Sequence, residues 1–450
     1  MKQVDFANGK IQQNVLQTAL PMLAAQVLNL LYNIVDRIYI GRIPGEGTAA
    51  LGGVGLCFPV IVMILAFTNL FGAGGAPLCS MALGEGNREK AERIMNTSFV
   101  LLLVSSVLLT ILGLVFAKSV LYAFGASEVT IHYAYPYLRI YLFGTIASMI
   151  ATGMNPFINA QGFSNVGMMS VFVGAAANII LDPIFMFGFG WGVQGAAFAT
   201  VLSQFLSLGF VLRFLLGKKA ELKLRASCFH TVKVKTVGNI ASLGLVSFIM
   251  QFTNSLVSVV CNHMLSIFGG DIYISIYTII SSIRQMVETP VLAITDGSSP
   301  VLSFNYGAKK YGKLREAVRI VTFWAIFYTL VIWILISFFP GFFISIFSSD
   351  RSLLSAAIPL LHLYFFGFIF QSLQYSGQNV FKSLNKKRQA IFFSLFRKVI
   401  MVIPMTLILP RIESLGPKGV FLAEPISNLI GGIACFAAMY FTVYGKLEKN

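Results

Sequence analysis

Charge is scarce in this chain. Only 11 % of its 450 residues are Asp, Glu, Lys or Arg, and acids number 17 against 33 basic residues. An ordinary soluble domain carries about 25 % charged residues. This composition, with 56 % hydrophobic residues and a mean hydropathy of +0.79, therefore excludes one. Cysteine is sparse too: Cys57, Cys79, Cys228, Cys261 and Cys435 are scattered, odd in number and never spaced as metal pairs. They read as small apolar packers in a reducing or lipid setting. There is no His-Glu-x-x-His, no Cys/His metal spacing and no fixed aspartate pair on neighbouring apolar runs, so an intramembrane enzyme is not expected. Low-complexity tracts are missing. The first apolar stretch is too long for a signal peptide and lacks a small-residue cleavage pattern.

Long apolar sequence is what the chain has in quantity. About 20 apolar residues suffice for a helix to cross a bilayer. Twelve such runs are expected, near 12–40, 49–77, 94–117, 130–157, 165–187, 192–216, 236–266, 272–300, 317–345, 352–380, 389–410 and 418–444. A membrane barrel would show short alternating segments instead. The expected fold class is an all-α integral membrane protein with twelve transmembrane helices. The net charge of +16 is explained by where it sits. With the N-terminus inside, the inner side carries Arg88, Lys90 and Arg93, the basic residues between Lys218 and Lys235, Lys309, Lys310 and Lys313, Lys386, Lys387 and Arg388, and also Arg397 and Lys398. The outer side carries only Arg37, Arg42, Lys118, Arg351, Arg411 and Lys418. Positive charge stays in the cytoplasm during insertion, so both termini are expected to be cytoplasmic, in the cell (inner) membrane. The basic balance then serves topology and contact with anionic membrane lipids, not nucleic acid. A monomer is expected.

The chain also repeats itself. Asn155, Phe157 and Gln161 recur as Asn379, Phe381 and Asn385, and Gly192 and Gly195 as Gly416 and Gly419. Pro77 and Gly84 recur as Pro300 and Gly307, each ahead of a basic turn. The expected organisation is a six-helix lobe over 1–217, a basic linker over 218–235 and a second six-helix lobe over 236–450. Repeated halves in a membrane protein point towards a transporter.

An ionisable side chain inside a span costs a few kcal/mol or more, so each needs a reason. Asp36 lies towards the outer end of the first span and Asp182 about 27 Å along the fifth, at 1.5 Å per residue. Asn178 precedes Asp182 by one turn on the same face, and Thr200 lies two turns into the returning span. Two carboxylates, an amide and a hydroxyl can hold a small hard cation such as Na⁺, and a carboxylate can also carry a proton. The alternative is that Asp36 merely ends its helix beside Arg37, and that Asp182 opens a turn before Pro183. At the repeat offset Asp182, Asn178 and Thr200 become Thr406, Val402 and Glu424, so the acid cluster belongs to one half only. Arg139 and Arg284 are the basic residues expected at depth. Arg284 and Glu288, at i and i+4, are expected to pair, or else Glu288 and Asp296 form an acidic wall for cationic substrates. His132, His263 and His362 are weaker candidates. Pro21, inside the first span, permits a bend that repositions Asp36.

Twelve spans in two sixfold lobes, Ala19-Leu20-Pro21 with Asp36 downstream, and the Pro-to-Gly stretch before a basic turn in both halves resemble the multidrug and toxic compound extrusion (MATE) transporters across essentially the whole chain. Asp36, Asn178, Asp182 and Thr200 match the N-lobe cation site of the DinF-like branch, and Pro21, Tyr137 and Asn155 match positions associated with it. The Gly41–Gly53 region is similar to the MepA-type bacterial members. The NorM-type branch has an acidic pair in its C-lobe, where this chain offers Gln251, Gln371, Gln374 and Gln378. The resemblance implies export of amphipathic, often cationic compounds in antiport with H⁺ or Na⁺, without a cofactor. The competing expectation, a lipid or lipid-linked sugar flippase, calls for several basic residues at depth.

Overall fold

The computed structural model describes residues 3–44, 47–225, 232–347 and 351–447. Cys228 and the linker residues 226–231 lie outside them. The first half forms α1 (Ile11–Gly41), α2 (Gly47–Gly84), α3 (Arg88–Ala123), α4 (Glu128–Phe143), α5 (Thr145–Ala160), α6 (Ser164–Pro183) and α7 (Gly192–Leu215). The second forms α8 (Val234–Phe268), α9 (Gly270–Gly297), α10 (Ser299–Gly307), α11 (Tyr311–Phe338), α12 (Pro340–Ser345), α13 (Arg351–Phe365), α14 (Phe368–Ser383), α15 (Lys387–Leu395), α16 (Ile403–Ile408) and α17 (Lys418–Thr442). No strand occurs among the described residues. This is the outcome lipid demands, since a helix satisfies its backbone groups within itself.

Nine of the described helices are long and apolar enough to cross a membrane. Leu353–Phe365 and Phe368–Ser383, which meet at 42°, make a tenth, broken span. Two expected spans escape that test for physical reasons. The fourth breaks at Gly144 into α4 and α5, neither of which alone reaches the ~20 residues needed. The eighth, α9, carries Arg284, Glu288 and Asp296. Twelve spans result.

The helices gather into two compact units. One contains the residues through Asp5 and Ala24–Phe248; the other contains Phe6–Leu23 and the chain from Ile249 onward. Helix α1 is thus divided after Leu23 and α8 after Phe248.

In the first unit α2 packs on α3, α4 and α5, and α6 packs on α7. Phe157, Met95, Leu102 and Leu142 are fully buried between them. The start of α8 touches α2 directly: a Cβ on Gly74 would stand 2.7 Å from the Gly244 Cα. Small residues allow that approach in membranes. Asn87 caps α3 by accepting from the Lys90 amide at 2.9 Å. Gln161 ties down the start of the linker, its Oε1 accepting from the Leu222 amide at 2.8 Å.

The second unit is centred on α14 against α17 and α11, with Phe365, Phe421 and Leu361 fully buried. The repeat is visible in the backbone. Gly192 and Gly416, matched in sequence, both hold a left-handed conformation (φ +52° and +47°), which glycine adopts without steric cost.

Candidate functional site

Helices α6 and α7 pack closely in the first unit, and that contact positions three of the four candidate side chains. Asn178 and Asp182 share a face of α6 one turn apart. The Asn178 Nδ2 donates to Asp182 Oδ1 at 3.1 Å and to Thr200 Oγ1 on α7 at 3.3 Å. Asp182 is completely buried and Asn178 nearly so. Just beyond, Ile184–Gly188 forms a π-helical turn after Pro183. Asp36 comes from α1, half-buried, and interacts electrostatically with Asp182. Tyr137, buried on α4 and stacked on Tyr141 with centroids 6.2 Å apart, also faces the charge of Asp36.

The cluster is short of donors. Asp36 Oδ1, Asn178 Oδ1 and Asp182 Oδ2 are all buried without a hydrogen-bond partner. A buried acceptor left unsatisfied costs about 1–3 kcal/mol, more when charged. A proton, a water molecule or a small cation would satisfy such oxygens. No three His, Cys, Asp or Glu side chains come together among the described residues. Two carboxylates, an amide oxygen and a hydroxyl suit a small hard ion. Tyr32 also lies near both acids. It was missed in the sequence although it stands one turn before Asp36, a spacing that could have flagged it.

Other candidates are placed differently. Asn155 is committed to the α5–α6 contact, its Nδ2 donating to Gly167 O at 2.8 Å and Ser170 Oγ at 2.7 Å. Pro21 is buried within an uninterrupted α1, on the part of the helix that belongs to the second unit. Asp296 pairs with Lys382 at 3.0 Å. His132, His263 and His362 are exposed.

The second unit holds a buried cluster of the opposite character. Glu424 Oε1 receives Arg284 Nη1 at 2.8 Å, Arg397 Nη1 at 3.0 Å and Lys398 Nζ at 3.0 Å. Arg284 also contacts Glu288 at 3.3 Å and donates to the Tyr364 hydroxyl at 2.8 Å. Arg397 donates to Asn428 Oδ1 at 2.6 Å, and Gln371 donates to Glu288. Two expectations are corrected here. Arg397 and Lys398, not among the basic residues expected at depth, are each about 5 % exposed inside the unit. They lie in the π-helical stretch Phe396–Val402, whose wider turn lets adjacent residues reach one carboxylate. Arg139, expected at depth, is exposed instead, over the Tyr135 ring.

The MatE family model matches the chain twice, over residues 21–184 and 247–408, well over half its length. The chain belongs to the MatE family. Its members are transporters driven by ion gradients, not enzymes. The paired match falls on the two repeats found in the sequence. The multidrug export protein MepA of Staphylococcus haemolyticus (strain JCSC1435) is 23 % identical over 447 residues, covering 99 % of this chain and 96 % of that protein. MepA of Staphylococcus aureus (strain MRSA252) is 21 % identical over 436 residues, covering 97 % and 95 %. Among solved structures, an outward-facing multidrug resistance MATE family transporter of the MOP superfamily superposes with a TM-score of 0.92. It is 24 % identical and covers 100 % of this chain and 99 % of that one. The chain is therefore a multi-pass membrane protein whose helices make twelve spans in two six-span lobes.

Proposed function

We propose that this protein is a secondary active multidrug exporter, moving amphipathic and often cationic compounds outward in exchange for H⁺ or Na⁺. The observation that carries this reading is the trio of buried, unpartnered oxygens on Asp36, Asn178 and Asp182. A site short of positive charge and open to one small cation is what ion-coupled exchange requires. The cation neutralises the two acids and reshapes α1 about Pro21, so that substrate and cation each weaken binding of the other by reciprocal linkage. The repeats act as two lobes, 1–217 and 236–450, joined by the linker 218–235. The chain works as a monomer in the cell membrane with both termini cytoplasmic and its inner basic turns against anionic lipid headgroups. Cysteines placed at Lys219 and Arg351 are then labelled from opposite sides.

The deciding experiment is efflux of a cationic dye from proteoliposomes under separately imposed H⁺ and Na⁺ gradients. Efflux driven by one or both gradients supports exchange; efflux indifferent to both sinks it. A flippase is the second reading, favoured by the convergence of Arg284, Arg397 and Lys398 at depth. All three basic groups are engaged by Glu424, however, which leaves them poorly available to a lipid phosphate. Gradient-independent movement of labelled lipid in the same vesicles would favour the flippase.

A further inference from the structure

Apart from both buried clusters, the second unit has a groove of about 420 Å³ between α11 and the end of α17. That size is in the range of small-molecule sites. Its walls are graded. At one end stand Arg315 and Arg319, one turn apart on α11, with Tyr444 beside them; at the other lie Phe323, Ile326 and Phe436. The Arg315 guanidinium lies 4.7 Å over the Tyr444 ring, while Arg319 is exposed and forms no ion pair among the described residues. Thr322 also lines the groove, and its hydroxyl is buried without a hydrogen-bond partner. Phe323 and Tyr440 on its rim are 59 % and 47 % exposed, as expected of side chains facing lipid. From Arg315 to Ile326 the groove runs about 16 Å at 1.5 Å per residue. That is close to half of a ~30 Å hydrocarbon core, the depth of one leaflet.

We propose that this groove binds an anionic phospholipid, its phosphate held by Arg315 and Arg319 and an acyl chain lying along Phe323, Ile326 and Phe436. Two guanidinium groups above an apolar trough match a negative head on a hydrocarbon tail. They repel the cationic compounds proposed as substrates. Contact of basic loops with lipid is general along this chain, whereas the groove selects a headgroup at one address.

Trp324, whose ring centroid is 5.7 Å from that of Phe323, reports on the groove. In full-length protein carrying Trp191→Phe and Trp333→Phe, its fluorescence is measured in phosphatidylcholine vesicles. Increasing fractions of acyl-brominated phosphatidylglycerol or brominated phosphatidylcholine are then included. Phosphatidylglycerol should quench at a lower fraction, by about fivefold for each arginine. Arg319→Gln, at an exposed position, should lose about fivefold of that preference, and Arg315→Gln with Arg319→Gln should abolish it. Thermal unfolding is recorded alongside to confirm that each variant is folded. Equal quenching by both lipids, or a preference that survives the double substitution, overturns the proposal. Reversal of the quenching by inorganic phosphate also overturns it, because the site would then take a soluble anion.

Discussion

The two units are built on one repeat, yet their buried acids live in opposite surroundings. In the first, Asp182 has one side-chain donor, Asn178, and leaves Oδ2 without a partner. In the second, Glu424 stands at the repeat position of Thr200, and a single oxygen of it is shared by three cations. The repeat position of Asp182 is Thr406, whose hydroxyl meets Cys261 Sγ at 3.9 Å. A buried charge left short of partners is costly, so the first cluster has more to gain from a bound cation than the second. The shared scaffold sets where polar groups can gather, and a few side chains decide which task the gathering serves.

Amidating the acids of the first unit is the strongest way to break that contrast. Asp36→Asn and Asp182→Asn should each reduce gradient-driven dye efflux to the level of empty vesicles while insertion and folding persist. Wild-type efflux from both variants would falsify the assignment. In the second unit the expected damage is to stability. Glu424→Gln leaves Arg284, Arg397 and Lys398 without their shared anion, at a cost of about 3–5 kcal/mol. It should appear as a clear fall in thermal stability in detergent. A variant as stable as wild type but unable to transport would move the coupling role to this cluster.

A smaller effect is expected from Asn178→Ala, which removes donors to both Asp182 and Thr200. Losing such hydrogen bonds to a charged group costs roughly 1.5–3 kcal/mol. Displacement of dye by H⁺ should therefore need at least tenfold less acid, because the carboxylate without its donor holds a proton more tightly. Displacement by Na⁺ should need more ion, because the Asn178 oxygen is lost as a ligand. An unchanged ion titration would remove Asn178 from the site. The mildest change is Asn155→Ala. It should cost about 1 kcal/mol of stability through the lost α5–α6 contacts and leave the ion titration in place. A shifted titration would extend the cation site to α5.

How much of this was legible beforehand depends on the distance over which each property is decided. Spans, repeat and helical class follow from local apolarity and an offset that survives in residues such as Gly192 and Gly416. The grouping of Asn178, Asp182 and Thr200 was also readable, because i, i+4 spacing and antiparallel return are local geometry. Asp36 could be named by its depth, although its neighbours Tyr32 and Tyr137 could not be ranked without the fold.

Arg397 and Lys398 fall outside the basic residues expected at depth because a sequence does not reveal whether a basic residue has a partner. Arg139 looked buried because a span's apolarity does not say which of its faces meets lipid. Asn155 carried no sign that its amide was already spent on α6. The sequence by itself determined a helical, twice-repeated membrane protein with acids at depth in its first half. Only the tertiary structure decided which charges are paired, which oxygens are left open, and that α1 and α8 are divided between the two units. The reason is physical: a helix period fixes what shares a face, whereas charge compensation depends on side chains brought together from distant parts of the chain.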